Sequence, residues 1–192
     1  MTSPSSTLFY IHDSMCSWCW GFRPVWQQLT QQLNSTINIV YIVGGLAPDS
    51  EAPMPVAMQQ TLEATWQRIQ QQIPGIQFNY DFWRQASNTQ LHLPFLQSCI
   101  GGKKQDPKLE QSMIQGIQEA YYLQAKNPSK LNTLIKGATS TGLNPEQFTH
   151  DINSQAIEQQ LATSSPTASP RLPQLSTAPR GQFLCYSTRL QQ

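Results

Sequence analysis

One short segment constrains the fold of this 192-residue chain more than any other. Cys16 and Cys19 are separated by two residues and follow an apolar run, Leu8-Phe9-Tyr10-Ile11, that is typical of a strand. From Ser17 to Leu33 the apolar side chains recur at helical spacing. The cysteine pair is therefore predicted to lie where a strand turns into a helix.

The next segment predicts a second strand. Ile37 to Val43 is β-branched and apolar, which is typical of a strand buried on both faces, and Gly44-Gly45 ends it. A strand–helix–strand unit carries its functional group at the carboxyl end of the first strand. The chain is therefore predicted to be an α/β protein with the two cysteines at its functional site.

The spacing of the cysteines suits thiol chemistry. Cys16 would lie at the helix N-terminus, where free N–H groups and the helix dipole favour a thiolate, the form that attacks disulfides. Cys19 lies one turn further on, within bonding reach, so that Cys16 attacks and Cys19 resolves. Trp18 and Trp20 would present apolar surface to extended protein substrates. Asp13 is interpreted either as a turn residue or as a proton-transfer group for the buried thiol.

A zinc site is the main alternative for such a pair. Zinc usually takes four ligands, whereas Cys99 and Cys185 are isolated in the sequence, and so are the three histidines (His12, His92 and His150). A redox pair is therefore favoured, and no cofactor or metal is predicted beyond the cysteines themselves. Cys99 and Cys185 are interpreted as ordinary buried thiols, with a second redox pair as the alternative. His12 is interpreted as a strand-end residue.

The remaining chain divides by composition. Residues 55 to 162 have helical patterns punctuated by Asp-Pro and Asn-Pro pairs, which predict helix starts. From residue 163 a Ser/Thr/Pro-rich tail begins, in which Gly181 to Tyr186 alternates weakly and could form a strand.

Composition excludes several classes of partner. The net charge is +1 and charged residues make up 12%, so that no basic surface for nucleic acid is expected. No apolar stretch approaches the roughly 18 residues of a membrane span. The N-terminus lacks a signal-peptide pattern, which predicts a cytoplasmic protein with reduced thiols.

Several motifs resemble one family. The segment from Tyr10 to Phe22 is similar to the active-site segment of the DsbA family, in particular its cytoplasmic FrnE-like branch, with Ser14 where that branch typically has proline. The resemblance covers roughly residues 8–160; its further motifs are Gly44 to Pro48, Met54-Pro55, Phe78 to Trp83 and Ala120 to Pro128.

The resemblance implies a thioredoxin-like fold with an inserted all-helical subdomain. Residues 8–46 would be the first part of the thioredoxin-like domain and 55–162 the insertion. Residues 163–192 would be a remnant of the closing strands, which look degenerate or truncated. Pro173 would be the proline that faces the cysteines, with a plain linker proline as the alternative.

The activity that the resemblance implies is oxidation, reduction or isomerisation of disulfides in protein substrates, with glutathione as a possible co-substrate. Two alternatives remain open. One is a glutathione-linked transferase or isomerase on the same fold. The other is a redox-inactive chaperone-like or metal-binding protein, suggested by the unusual tail.

Overall fold

The computed structural model describes residues 6–33, 37–43, 50–84, 89–90, 99, 101–102, 104–106, 109–157, 159 and 186–188. In chain order the elements are β1 (Ser6–His12), α1 (Ser17–Gln32), β2 (Ile37–Val43), β3 (Ser50–Pro53), α2 (Val56–Gln72), a 3-10 turn (Tyr80–Arg84), β4 (Thr89–Gln90), α3 (Glu110–Tyr122), α4 (Leu131–Ser140), α5 (Pro145–Ile152) and β5 (Tyr186–Thr188). Within these ranges no helix has the length and hydropathy needed to cross a membrane.

The larger sheet has β1 at its centre, in the order β2-β1-β5. β1 runs parallel to β2, with His12 opposite Val43, and antiparallel to β5, with Phe9 opposite Tyr186. The predicted strand–helix–strand unit is confirmed. The expected burial of β2 on both faces is wrong: Val43 is its buried residue and the others are half-buried or exposed, because β2 lies at the edge of the described sheet.

Most of the weak strand pattern near the end of the chain lies outside the described residues. Of the stretch Gly181 to Tyr186, which alternates weakly, only Tyr186 lies among the described residues, and it begins β5. Three residues are enough to pair with β1 along Thr7 to Phe9. The thioredoxin-like class agrees with the observed sheet, and the degenerate or truncated closing strands stay a prediction.

The middle of the chain is mostly helical. At α5, Asn144 is the N-cap as its Asn-Pro signature predicts: its side-chain oxygen accepts the N–H of Gln147 at 2.8 Å. One departure is β4, two residues that pair with β3 inside the span expected to be helical. The division into residues 8–46, 55–162 and 163–192 remains a prediction.

The described residues form two hydrophobic cores. One lies among α3, α4 and α5, around Met113, Leu134 and Phe148. The second, here called the aromatic cluster, joins the beginning of α1 to α2, α3 and the 3-10 turn. Its buried members are Met15, Trp20, Trp66, Ile69, Ile76, Phe78, Phe82, Tyr121, Tyr122 and Ala125.

Candidate functional site: a cysteine pair at a helix N-terminus

The turn between β1 and α1 is built around Asp13. Its side-chain carboxylate accepts the N–H of Met15 at 2.8 Å, and its backbone carbonyl accepts the N–H of Cys16 at 3.1 Å. Cys16 is the N-cap of α1, in an extended conformation (φ −79°, ψ 111°), and its carbonyl accepts the N–H of Trp20 at 3.2 Å. These bonds place Cys16 directly over the first turn of the helix, as the sequence predicted.

The two sulfur atoms are in different surroundings. Both cysteines are free thiols; Cys16 is half-buried, whereas Cys19 is 4% exposed. The hydrogen bond that the Cys19 thiol donates lowers the pKa of Cys16 below its ordinary value, although burial acts in the opposite direction. The backbone N–H groups of Cys19 and Trp18 also donate to the Cys16 sulfur and lower its pKa.

The same contacts act on Cys19 with the opposite sign. The hydrogen bond to Cys16, burial and the negative charge of Cys16 together raise the pKa of Cys19 well above its ordinary value. As pH rises, Cys16 therefore loses its proton before Cys19 does. This arrangement suits Cys16 as the attacking thiol and Cys19 as the thiol that reacts second.

Asp13 is a turn residue in the structure, which is the first of its two predicted interpretations. It shapes the turn, and it is also a buried carboxylate, 4% exposed, whose charge raises the pKa of both Cys16 and Cys19. The backbone of Asp13 forms a hydrogen bond with the Cys19 sulfur that acts the other way and lowers the pKa of that thiol. Its part in proton transfer remains a prediction.

His12 is the last residue of β1, as the sequence predicted. Its ring is 2% exposed, stacks on Tyr10 with centroids 5.5 Å apart, and leaves its Nδ1 without a hydrogen-bond partner. Burial lowers the pKa of His12 to about 4, against the opposing charge of Asp13. His12 is therefore neutral at physiological pH.

The two tryptophans of the motif have different surroundings. Trp18 is half-buried at the margin of the aromatic cluster. Trp20 is 1% exposed: its indole N–H donates to the carbonyl of Gln77 at 3.0 Å, and its ring stacks on Tyr122. The expectation that Trp20 presents apolar surface to substrates is therefore wrong, because α2 and α3 cover it.

The other candidate residues lie apart from the pair or outside the description. Pro173 and Cys185 are outside the described residues. Cys99 is 3% exposed in the core around Met113, which agrees with an ordinary buried thiol. Among the described residues, no three His, Cys, Asp or Glu side chains come together to hold a metal ion.

Three residues beside the pair were not singled out from the sequence. They are Ser17, Trp66 and Tyr122. The structure places both aromatic residues next to the motif: Trp66 donates its indole N–H to the Ser17 hydroxyl at 2.8 Å. One sequence feature could have indicated this contact. Ser17 and Gly21 are small, lie four residues apart and so share one face of α1, which leaves room for another helix to approach.

Similarity to known proteins agrees with this fold. The chain is 23% identical over 153 residues to the ClpXP adapter protein SpxH of Halalkalibacterium halodurans, a match that covers 78% of this chain and 49% of that protein. The chain thus spans about half the length of this curated relative.

Solved structures show the same architecture. A candidate protein disulfide isomerase from Nitrosomonas europaea superposes with a TM-score of 0.74 at 22% identity, covering 83% of this chain and 76% of that one. The cytosolic disulfide reductase DsbM from Pseudomonas aeruginosa, solved with GSH, superposes with a TM-score of 0.66 at 21% identity, covering 82% and 77%.

These structural matches confirm at the level of the fold the resemblance seen in the sequence. The sequence profile of a family described as thioredoxin matches residues 9–169, which contain the end of β1 from Phe9, the cysteine pair and all the described helices. The chain therefore belongs to the thioredoxin family.

Proposed function

We propose that this chain is a protein thiol–disulfide oxidoreductase that acts through Cys16 and Cys19. The observation that carries the proposal is the position of the half-buried Cys16 at the N-cap of α1, with the buried Cys19 thiol bonded to its sulfur, a contact that lowers the pKa of Cys16 and raises that of Cys19. An accessible thiolate next to a protonated thiol is the requirement of a two-step exchange.

In the first step the Cys16 thiolate attacks one sulfur of a substrate disulfide. The substrate S–S bond breaks, the departing sulfur leaves as a thiolate, and a mixed disulfide joins Cys16 to the substrate. In the second step Cys19 loses its proton and attacks the Cys16 sulfur, which releases the second substrate thiolate. The substrate gains two electrons, and the pair is oxidised to the Cys16–Cys19 disulfide.

Asp13 is the group proposed to accept the proton of Cys19 in the second step. Its buried carboxylate acts on Cys19 electrostatically, and its backbone touches the sulfur.

Isomerisation needs only the first step, followed by attack of another substrate thiol on the mixed disulfide. Two molecules of glutathione would return the pair to the dithiol, and this co-substrate is consistent with GSH in the solved DsbM structure. The cytosolic description of DsbM favours a cytoplasmic location for this chain.

Site-directed variants test the exchange. We expect wild-type protein to catalyse reduction of insulin by glutathione, Cys16→Ser to be inactive, and Cys19→Ser to accumulate the mixed disulfide, because the resolving thiol is missing. Cys99→Ala is the matched control, since it removes a cysteine from the other core and should leave turnover unchanged. Equal turnover by wild type and Cys16→Ser would refute the proposal.

The second candidate function is a non-catalytic adapter. It is favoured by the sequence match to a ClpXP adapter protein and agrees with the redox-inactive alternative. Binding of purified ClpX distinguishes the two: an adapter retains its affinity in the Cys16→Ser/Cys19→Ser variant and shows no turnover in the insulin assay. Absence of binding by both proteins removes this candidate.

A further inference from the structure

The residue after each cysteine is anchored in the helical region. Ser17 follows Cys16 and is 6% exposed, and its hydroxyl oxygen accepts the indole N–H of Trp66 at 2.8 Å. Trp20 follows Cys19, and its ring stacks on Tyr122 with centroids 5.3 Å apart. Contacts with α2 and α3 therefore hold the first turn of α1 in place.

Trp66, which donates the hydrogen bond to Ser17, has little freedom to move. Trp66 is 0% exposed and lies at the centre of the aromatic cluster. Six rings surround it at centroid distances between 4.8 and 6.3 Å: Phe78, Tyr80, Phe82, Trp83, Tyr121 and Tyr122. A side chain confined in this way holds its N–H in one direction, so that its hydrogen bond restrains Ser17 at little further cost in entropy.

Ser17 sits where its position matters for the chemistry. It is the first residue of α1, between the N-cap Cys16 and the two residues, Trp18 and Cys19, whose backbone N–H groups donate to the Cys16 sulfur. The direction of these N–H groups depends on the geometry of the first helical turn. A bond that fixes Ser17 therefore fixes the donors that face the sulfur.

On the basis of the proposed function, we propose that Trp66 is a positioning residue for the cysteine pair, which acts through its hydrogen bond to Ser17 and fixes the first turn of α1 around the Cys16 sulfur. Trp66 does not touch the substrate, since it is fully buried. The helical region would then set the reactivity of the pair, in addition to covering it. Loss of the bond should destabilise the Cys16 thiolate and shift the pair towards its disulfide form.

The test is a double-mutant cycle on Ser17→Ala and Trp66→Phe, read out as the pKa of Cys16 from the pH dependence of alkylation. Each single variant should raise this pKa by about half a unit to one unit, as expected for one hydrogen bond. The equilibrium constant for oxidation of glutathione by the protein disulfide should fall about three- to ten-fold at a pH where Cys16 is ionised. The double variant should shift no further than the larger single change, because both remove the same bond.

Trp83→Phe is the matched control. Trp83 contacts Trp66 in the same cluster, and its buried indole nitrogen has no hydrogen-bond partner, so this variant removes a similar volume and an equivalent N–H that does not reach Ser17. An unchanged Cys16 pKa in Trp83→Phe and a raised one in Ser17→Ala support the proposal. Ser17→Ala removes a single oxygen, so it keeps the test open if Trp66→Phe does not fold.

The outcomes that overturn the inference are distinct from failure of the proposed function. Three outcomes would overturn the positioning role alone. The low Cys16 pKa of the wild type could persist in both single variants, the shifts could add in the double variant, or Trp83→Phe could shift the pKa equally. An ordinary Cys16 pKa in the wild-type protein would contradict the oxidoreductase proposal together with it.

Discussion

At the scale of single residues, His12 and Asp13 bring two ionisable groups into the interior where β1 ends. Asp13 accepts a backbone N–H, but the Nδ1 of His12 has no partner, and the ring is held by Tyr10 and Tyr41 through stacking and edge contacts. A neutral imidazole can be buried at little cost in stability, whereas in acidic solution its burial lowers the free energy of unfolding.

This cost leads to a prediction for stability at low pH. The pKa of His12 is about 4 in the folded protein, below its ordinary value of 6.5, so the unfolded chain binds a proton that the folded protein does not. The free energy of unfolding should therefore fall as pH drops below about 6.5, by about 3 kcal/mol at pH 4, and the loss due to His12 levels off below that pH.

Urea unfolding at pH 7, 5.5 and 4 measures the effect. His12→Phe keeps a flat ring against Tyr10 and removes the titrating group, so its loss of stability between pH 7 and pH 4 should be smaller than that of the wild type by about 3 kcal/mol. Between pH 7 and pH 8 the two proteins should show the same slope, which is the internal control. Parallel curves over the whole acidic range would contradict this account.

At the scale of elements, the contact between α1 and α2 depends on a glycine. A Cβ placed on Gly21 would lie 2.8 Å from Cδ1 of Ile73 and 3.0 Å from Cγ2 of Ile69. Both distances are shorter than a carbon–carbon contact, and Ile69 is fully buried, so it cannot move aside freely. Gly21 therefore allows the helix that carries the cysteines to approach the helix that carries Trp66.

We expect Gly21→Ala to destabilise the protein by about 1–2 kcal/mol in thermal or urea unfolding, because overpacking outweighs the better helix propensity of alanine. Gly116→Ala in α3 is the matched control: its added Cβ would meet Cγ2 of Thr141 at 3.7 Å, an ordinary contact, so its stability should be unchanged or higher. Adding Ile73→Val to Gly21→Ala should recover part of the loss, and a loss that is the same with and without it would argue against overpacking.

Elements with local signals could be predicted from the sequence, and elements defined by distant partners could not. β2 and the start of α5 follow from a β-branched run and from Asn144-Pro145. β4 is two residues long and exists because β3 lies opposite, so no periodicity marks it. The burial of β2 was overestimated because a strand pattern does not show whether the strand lies at the edge of a sheet.

The residues of the candidate site also fall into those that a local sequence pattern predicts and those that depend on distant partners. Cys16, Cys19 and Asp13 are close in sequence, and the strand–turn–helix pattern was sufficient to place them together. Ser17 and Trp66 are 49 residues apart, and their hydrogen bond depends on how α2 packs against α1. A single sequence does not encode such a pairing in its local pattern, so Trp66 could be identified only as a core residue.

At the scale of the whole molecule, the state of the cysteine pair is coupled to global stability. The hydrogen bonds to Cys16 from the Cys19 thiol and from two backbone N–H groups favour the thiolate, so they stabilise the folded dithiol protein. By linkage, contacts that lower a thiol pKa in the folded state stabilise it above that pKa, and the benefit is lost as pH falls through it.

The Tm of the reduced protein should therefore rise relative to that of the oxidised protein as the pH is raised through the pKa of Cys16. This gain should be lost when the pH is lowered through the pKa of Cys16, since protonation removes the same contacts. Differential scanning calorimetry of the dithiol and disulfide forms, with Cys16→Ser/Cys19→Ser as the redox-insensitive control, measures both effects. A difference in Tm between the two forms that does not change with pH would contradict this linkage between the Cys16 thiolate and stability.

The contact between Trp20 and Tyr122 has a consequence for the newly made chain. The cysteines leave the ribosome more than a hundred residues before Tyr122, and Trp66 follows them by about fifty. At a synthesis rate of about 5–20 residues per second, roughly 5–20 seconds pass between synthesis of the cysteine pair and synthesis of Tyr122, whose ring covers Trp20. During that interval the nascent polypeptide displays two adjacent thiols without their helical cover, and oxidants or partner proteins present at translation meet them in this uncovered form.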